Sequence, residues 1–215
     1  MNIGVLGTGM VGTTLGTKLA ALGHQVKMGS RATGNEKAVA WVKAAGPRAS
    51  EGTFADAASF GEVVFNCTSG AGALPAVESA KAGLAGKILI DVSNPLDFSK
   101  GMPPVLLVSN DDSLGERIQR ALPDTKVVKT LNTVNCALMV DAARVAGGDH
   151  DMFVCGNDPA AKARVTEILR GFFGWKNVVD LGPITSARAT ESYLHLWVRL
   201  SGILGTADFN VKLMR

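Results

Sequence analysis

Cysteine is scarce in this 215-residue chain, and its placement argues against a disulfide framework. The three cysteines, Cys67, Cys136 and Cys155, lie far apart and form no Cys-x-x-Cys pair. We therefore expect free thiols in a reducing compartment and a cytoplasmic protein. Groups of His, Cys, Asp and Glu with metal-ligand spacing are also missing, so the sequence predicts no metal site.

Long apolar runs and runs of Lys or Arg are missing as well. The longest apolar candidate, 194–204, is interrupted by Arg199, Ser201 and Gly202, whereas a membrane span needs about 20 apolar residues in a row. The first residues have a strand-like pattern rather than a basic region and a cleavage site, so we expect neither a signal peptide nor a membrane partner. A net charge of +3 without a basic run argues against nucleic acid as a partner.

What is present is a regular alternation of short apolar segments with helical ones. This pattern predicts an α/β fold of Rossmann type, a doubly wound and mostly parallel sheet with helices on both faces. The predicted strands are 2–7, 25–28, 63–67, 87–92, 126–131, 152–155 and 178–181. After Pro183 the pattern becomes helical over 186–213, so we predict a dinucleotide-binding domain at 1–183 and a short C-terminal helical segment at 184–215.

The first predicted strand leads into a glycine-rich turn, Gly7-Thr8-Gly9-Met10-Val11-Gly12. This is a GxGxxG motif in the context it requires, after a strand and at the start of a helix. Gly7 allows the tight turn, Gly9 lets the backbone approach a pyrophosphate, and Gly12 allows helix and strand to pack closely. The helix N-terminus offers free N–H groups to the phosphates, so the motif predicts a dinucleotide site.

The second predicted strand ends in Gly29-Ser30-Arg31 and lacks the acid that usually holds the ribose hydroxyls of NAD. Ser30 can hydrogen-bond a 2′-phosphate, and Arg31 can pair with it and stack on the adenine. A carboxylate there would repel that phosphate. The sequence therefore predicts NADP(H) as the dinucleotide.

Small and amide side chains follow three later strands, at the edge where open α/β sheets bind their ligands. They are Thr68, the segment Ser93-Asn94-Pro95, and Asn132. These groups can hold a carboxamide and ribose hydroxyls, and we predict that they lie around the nicotinamide.

A positioned acid or base is not evident in the sequence, so we name no catalytic residue. We place His24 at a turn before the second strand, His150 in a polar loop and His195 in the terminal helix, and Asp91 reads as a structural carboxylate inside a strand. A site that can hold nicotinamide but lacks a proton-transfer group suits hydride transfer to an acceptor with its own ring chemistry, such as a flavin or a deazaflavin.

Six motifs taken together are more specific than the glycine turn alone. They are IGVLGTGMVG at 3–12, LGHQVKMGSR at 22–31, GKILIDVSNP at 86–95, KVVKTLNTVN at 126–135, FVCGNDPAAK at 153–162 and VVDLGPITSARATES at 178–192. In these motifs the chain resembles the NADPH-dependent deazaflavin (coenzyme F420) reductase family and the related oxidoreductase domain of the STEAP metalloreductases.

The resemblance implies that NADP(H) is held by the backbone of Thr8, Met10 and Val11 and by the side chains of Ser30 and Arg31. It also implies a nicotinamide near Thr68, Ser93-Asn94-Pro95 and Asn132, with F420, FMN or FAD as the small-molecule acceptor. The family often has a further basic residue after the Ser-Arg pair. Here Asn35 occupies that region and Lys37 comes later.

Two other functions remain open. One is an imine or 3-hydroxyacid reductase, although such enzymes usually add a helical domain of ~100 residues, and only about 30 residues follow Pro183 here. The other is a non-catalytic NADPH-binding protein. The apolar residues of the terminal helix either cap the core, form a homodimer interface or line the acceptor site.

Overall fold

The computed structural model describes residues 1–214 and consists of one large sheet with helices on both faces. In chain order the strands are β1 (Asn2–Leu6), β2 (Gln25–Ser30), β3 (Ala49–Thr53), β4 (Val63–Asn66), β5 (Ile88–Asp91), β6 (Leu96–Asp97), β7 (Val105–Leu106), β8 (Lys126–Thr130), β9 (Asp151–Gly156) and β10 (Asn177–Asp180). The large sheet has the order β10-β9-β8-β5-β4-β1-β2-β3, and β6 and β7 form a separate antiparallel pair.

Within the large sheet only β8 and β9 pair antiparallel. All other neighbours are parallel, with crossovers to either side of β1. The predicted doubly wound, mostly parallel Rossmann-type sheet is therefore confirmed. Its switch point lies between β1 and β4, which is where open α/β sheets bind ligands.

The helices are α1 (Met10–Ala21), α2 (Glu36–Ala45), α3 (Phe54–Phe60), α4 (Gly70–Ser79), α5 (Lys81–Leu84), α6 (Leu114–Ala121), α7 (Cys136–Met139), α8 (Pro159–Phe173), α9 (Ala187–Ser192) and α10 (Leu194–Leu204). Their starts follow local chemistry. Ser113 caps α6 by accepting the N–H of Glu116 at 3.1 Å, and Asp158 caps α8. Pro159 occupies the first turn of α8, where its missing N–H costs nothing.

Alternate residues of each central strand enter two separate cores. In β4, Val63 and Phe65 pack against one layer, which includes α1 and α8, whereas Val64 packs against the other, which includes α3 and α6. Both faces of the sheet are therefore buried, which explains why its strands read as continuous apolar runs. The three cysteines are free, and Cys67 and Cys155 are buried.

Three regions differ from the sequence prediction. The short antiparallel pair of β6 and β7 was not predicted. β3 and α3 were not predicted either, although Thr53 and Asp56 form a capping box between them. The predicted helix 186–213 ends at Leu204, because Gly205 adopts a left-handed conformation with φ +65°. The residues after Gly205 return across the domain, and the N–H of Asp151 donates to the carbonyl of Val211 at 3.1 Å. Among residues 1–214, no helix is long and apolar enough to cross a membrane.

Candidate functional site

A cleft of about 950 Å³ opens at the carboxyl ends of β1, β4, β5 and β8. It brings together seven of the predicted site residues, namely Gly9, Met10, Val11, Thr68, Ser93, Asn94 and Asn132. The other six lie outside its lining, namely Gly7, Thr8, Gly12, Ser30, Arg31 and Pro95. Pro95 is buried, and its Cα would lie 2.7 Å from a Cβ at Gly70, so it supports the loop that precedes α4.

The glycine turn has three structurally distinct positions. Gly7 has φ +117°, and a Cβ there would lie 2.8 Å from the carbonyl oxygen of Cys67. A Cβ at Gly12 would lie 2.1 Å from the carbonyl oxygen of Gly7, so α1 packs directly on the turn. Gly9, by contrast, faces open space, and α1 begins after it without a side-chain cap. The turn therefore leaves an open position beside uncapped N–H groups, which fits a pyrophosphate.

At the end of β2, Ser30 is buried and Arg31 is exposed. The Ser30 hydroxyl donates to the carbonyl of Ala32 at 2.5 Å, so it must rotate before it can donate to a phosphate. Among residues 1–214, Arg31 has no carboxylate within ion-pair distance. Its guanidinium is thus free for an anionic ligand.

The structure adds an acid that the sequence analysis missed near this position. Glu51 of β3 accepts the backbone N–H of Gly34 with both carboxylate oxygens, each at 3.2 Å. Asn35, which replaces a basic residue often found in the resembling family, caps α2 by accepting the N–H of Ala38 at 3.2 Å. Both side chains therefore hold the loop that carries Arg31.

The inner end of the cleft is built on a pair of amides. The side-chain N–H of Asn94 donates to the backbone carbonyl of Asn132 at 2.8 Å, and that of Asn132 donates to Asn94 Oδ1 at 3.0 Å. The preceding residue, Leu131, is fully buried and has φ +62°. This left-handed backbone conformation costs a residue other than glycine about 1–3 kcal/mol. This turn takes the chain out of β8 immediately before Asn132.

Comparison with known proteins bears on this arrangement. The sequence profile of the family "NADP oxidoreductase coenzyme F420-dependent" matches residues 2–95, which contain the glycine turn and Asn94. A crystal structure of a candidate F420-dependent NADP-reductase from Arthrobacter sp. FB24 is 51% identical, covers 100% of both chains and superposes with a TM-score of 0.94. This chain belongs to that family. It is thus a member of a family of NADP-dependent oxidoreductases.

More distant relatives share parts of the chain. An F420-dependent NADP reductase of Methanocaldococcus jannaschii is 31% identical over 147 residues, which are 68% of this chain and 65% of the relative. Metalloreductase STEAP3 of Rattus norvegicus is 31% identical over 193 residues, 88% of this chain but 36% of the relative. The chain therefore spans about two thirds of the first relative and about a third of the second.

Beneath the amide pair lies a buried ion triad. Lys129 Nζ lies 2.8 Å from Asp91 Oδ2, 2.9 Å from Glu191 Oε1 and 2.5 Å from the carbonyl oxygen of Ser93. Asp91 Oδ1 accepts the Ser93 hydroxyl at 2.6 Å and the Asn66 amide at 2.9 Å. Burial disfavours the ammonium, but the two carboxylates hold the pKa of Lys129 above its usual value. Asp91 is thus structural, as its sequence context indicated.

The triad connects the cleft to the helices around it. Asn66 Oδ1 accepts the hydroxyl of Thr68 at 2.7 Å, which fixes that side chain at the cleft wall. Glu191 accepts the backbone N–H groups of Leu114 and Gly115 at 2.8 and 2.9 Å, which caps the N-terminus of α6. Sequence analysis named neither Lys129 nor Glu191. The only local signal was a lysine inside an apolar strand.

The histidines lie away from the cleft lining. His150 is buried, and its Nε2 lies 2.9 Å from the carbonyl oxygen of Ala142 while its Nδ1 lies 2.8 Å from the amide of Asn210. Both ring nitrogens are therefore engaged in the fold. His195 is exposed on α10, and His24 packs against Phe172 with ring centroids 4.6 Å apart. The geometry gives none of the three an acid–base role in the cleft.

Proposed function

We propose that this protein transfers a hydride between NADPH and a flavin or deazaflavin. The observation that carries the proposal is the chemistry of the cleft. Among the described residues, its lining holds one carboxylate, Asp208, and no Lys, Arg or His. Asp208 is itself paired with Arg144 at 2.9 Å. Such a cleft suits an acceptor that needs no proton donor from the protein.

The phosphate-binding end follows from the glycine turn. The backbone N–H groups of Thr8, Met10 and Val11 and the dipole of α1 would hold the pyrophosphate, with Gly9 leaving room for it. Ser30 and Arg31 would hold the 2′-phosphate at the end of β2. This assignment accounts for the free guanidinium of Arg31. No acid directly follows β2 in the sequence, and the nearby carboxylate of Glu51 is engaged with the backbone N–H of Gly34.

The nicotinamide end would be held by Thr68, Ser93, Asn94 and Asn132. The triad and the amide pair fix these groups from below, so they can orient a carboxamide without rearranging. Bound NADPH would supply a hydride, and thus both electrons, to the acceptor ring, and solvent would supply the proton that completes a two-electron reduction. The residues of the cleft thus bind and orient the reactants.

The test is anaerobic oxidation of NADPH with FMN, FAD and coenzyme F420 as separate acceptors, with NADH run in parallel. We expect turnover of at least one acceptor and a strong preference for NADPH. Tight NADPH binding without turnover of any of the three would contradict the proposal. That result would favour an imine or ketone substrate, or a non-catalytic role.

We also propose that α10 forms a homodimer interface. Its exposed apolar residues include Leu196, Ile203 and Leu204, which are 54%, 80% and 54% exposed. Residues seven and eight positions apart lie on one side of a helix, so the three form a continuous apolar face. Light scattering should give the mass of a dimer for the wild type and of a monomer for Ile203→Glu. A wild-type monomer at high protein concentration would contradict this assignment.

A further inference from the structure

The helix that carries the dimer face also borders the cleft. α9 and α10 run on through Tyr193, since the N–H of Tyr193 donates to Ala189 at 3.0 Å and the N–H of Trp197 donates to Tyr193 at 2.9 Å. The carbonyl of Thr190 accepts the side-chain amide of Asn132 at 3.1 Å. This hydrogen bond connects the helix to the amide pair at Thr190. Residues that follow Thr190 on the same side of the helix line the cleft.

Leu194 and Trp197 follow Thr190 by four and seven residues, and both line the cleft. At 1.5 Å per residue, Trp197 lies about 10 Å along the helix from Thr190. The cleft therefore extends along the helix from the amide pair to the indole.

The indole of Trp197 packs against a second aromatic ring. The ring of Phe209 stacks on it with centroids 5.5 Å apart and planes inclined by 23°. Trp197 lines the cleft and Phe209 does not, so the part of the indole that reaches the cleft is the part that Phe209 leaves uncovered. Phe209 belongs to the segment that returns across the domain after Gly205.

Trp197 also differs from the other tryptophans in its hydrogen bonding. The indole N–H of Trp41 donates to Thr17 at 3.1 Å, and that of Trp175 donates to the carbonyl of Met139 at 3.1 Å. The indole N–H of Trp197 is buried and has no partner among residues 1–214. Because this nitrogen is buried, a ligand in the cleft would meet the ring carbons of the indole rather than its N–H.

We propose that Trp197 is the residue on which the acceptor ring stacks and that Phe209 positions it from behind. The proposal rests on the proposed function and adds the wall of the cleft that binds the second substrate. Val134, Met139 and Leu194 continue this wall as an apolar surface. An uncharged aromatic ring matches this apolar surface.

The test measures binding of oxidised riboflavin to the protein saturated with NADP⁺, by fluorescence anisotropy, together with kcat and KM at saturating NADPH. Trp197→Met keeps side-chain bulk and removes the aromatic plane, and we expect it to weaken riboflavin binding and raise the riboflavin KM by about 3- to 10-fold. Trp197→Phe should stay within about twofold of the wild type. Binding of NADPH should be unchanged in both variants, because the phosphate and nicotinamide ends do not involve the indole.

Two further variants sharpen the result. Phe209→Leu should raise the riboflavin KM without touching the cleft, and it serves as the decisive variant if Trp197→Met does not fold. His195→Gln, exposed on the same helix, should match the wild type. Unchanged riboflavin binding in folded Trp197→Met, or in Phe209→Leu, would overturn the inference. Failure of the wild type to bind or reduce any ring acceptor would instead overturn the proposed function.

Discussion

Lys129 and Asp91 are register partners on neighbouring parallel strands, and their side chains form a 2.8 Å ion pair without solvent exposure. Glu191 adds a second carboxylate from α9, 62 residues further along the chain. A buried ion pair is weak evidence of net stability, but removal of one partner leaves a charge in a medium that cannot solvate it. The triad therefore links the sheet, the cleft and the C-terminal helix through a single lysine side chain.

Replacing Lys129 with Met tests this dependence. The variant leaves Asp91 and Glu191 buried without a cation, so we expect the free energy of unfolding to fall by about 3–5 kcal/mol. Lys126→Met on the same strand removes an exposed ion pair with Asp158 and should cost less than about 1 kcal/mol. Urea denaturation of both variants measures the difference. Equal losses would contradict the structural role of the triad.

The glycine turn predicts two opposite outcomes for the same substitution. Gly9→Ala places a methyl group in open space, so stability should stay near that of the wild type while NADPH affinity falls. Gly12→Ala places its methyl 2.1 Å from the carbonyl oxygen of Gly7, so the variant should lose stability. Thermal unfolding and an NADPH titration separate the two effects. Unchanged NADPH binding by Gly9→Ala would show that the pyrophosphate does not bind at this turn.

The features that sequence analysis predicted best are those with local causes. The glycine turn depends on contacts within one strand–helix unit, and the caps at Ser113 and Asp158 satisfy N–H groups three residues away. The bounds of α2 have equally local causes, because Asn35 caps its start and Gly46 ends it. Such elements carry their own start and stop signals.

The features that were missed depend on contacts between distant parts of the chain. Glu191 meets Lys129 only because α9 packs at the end of β8. The segment after Gly205 does not continue the predicted helix, because it bonds instead to the loop at 149–151. Glu51 lies near the end of β2 through strand pairing alone. The hydrophobic pattern of a short sequence segment carries no information about contacts with distant parts of the chain.

Arg31→Ala tests the choice of dinucleotide. A charge-assisted contact with the 2′-phosphate is worth roughly 1.5–3 kcal/mol, so NADPH should bind about 10- to 150-fold more weakly. NADH lacks this phosphate, and its affinity should change little. Lys37→Ala, a nearby exposed cation, is the matched control. Equal losses for NADPH and NADH in Arg31→Ala would exclude Ser30 and Arg31 as the phosphate site.

The pH dependence of turnover should be flat. Hydrogen bonds from Arg144 and Asn135 lower the pKa of Asp208, so this carboxylate stays ionised at neutral and alkaline pH. Burial raises the pKa of the Cys67 thiol, so this group stays protonated over the same range. We therefore expect kcat at saturating substrates to be constant between about pH 6 and pH 7.5. A bell-shaped profile would reveal a proton-transfer group and contradict the proposed mechanism.

Direct hydride transfer from NADPH to an acceptor ring would distinguish a reductase from a protein that only binds NADPH. The most direct test mixes the NADPH-loaded protein with oxidised riboflavin, FMN or F420 in an anaerobic stopped-flow instrument, using NADPH deuterated at either face of C4. We expect the absorbance of the acceptor and that of NADPH to fall together in one phase, and this phase should be slower with only one of the two deuterium labels. Stable NADPH absorbance with every acceptor, despite saturated binding, would contradict it.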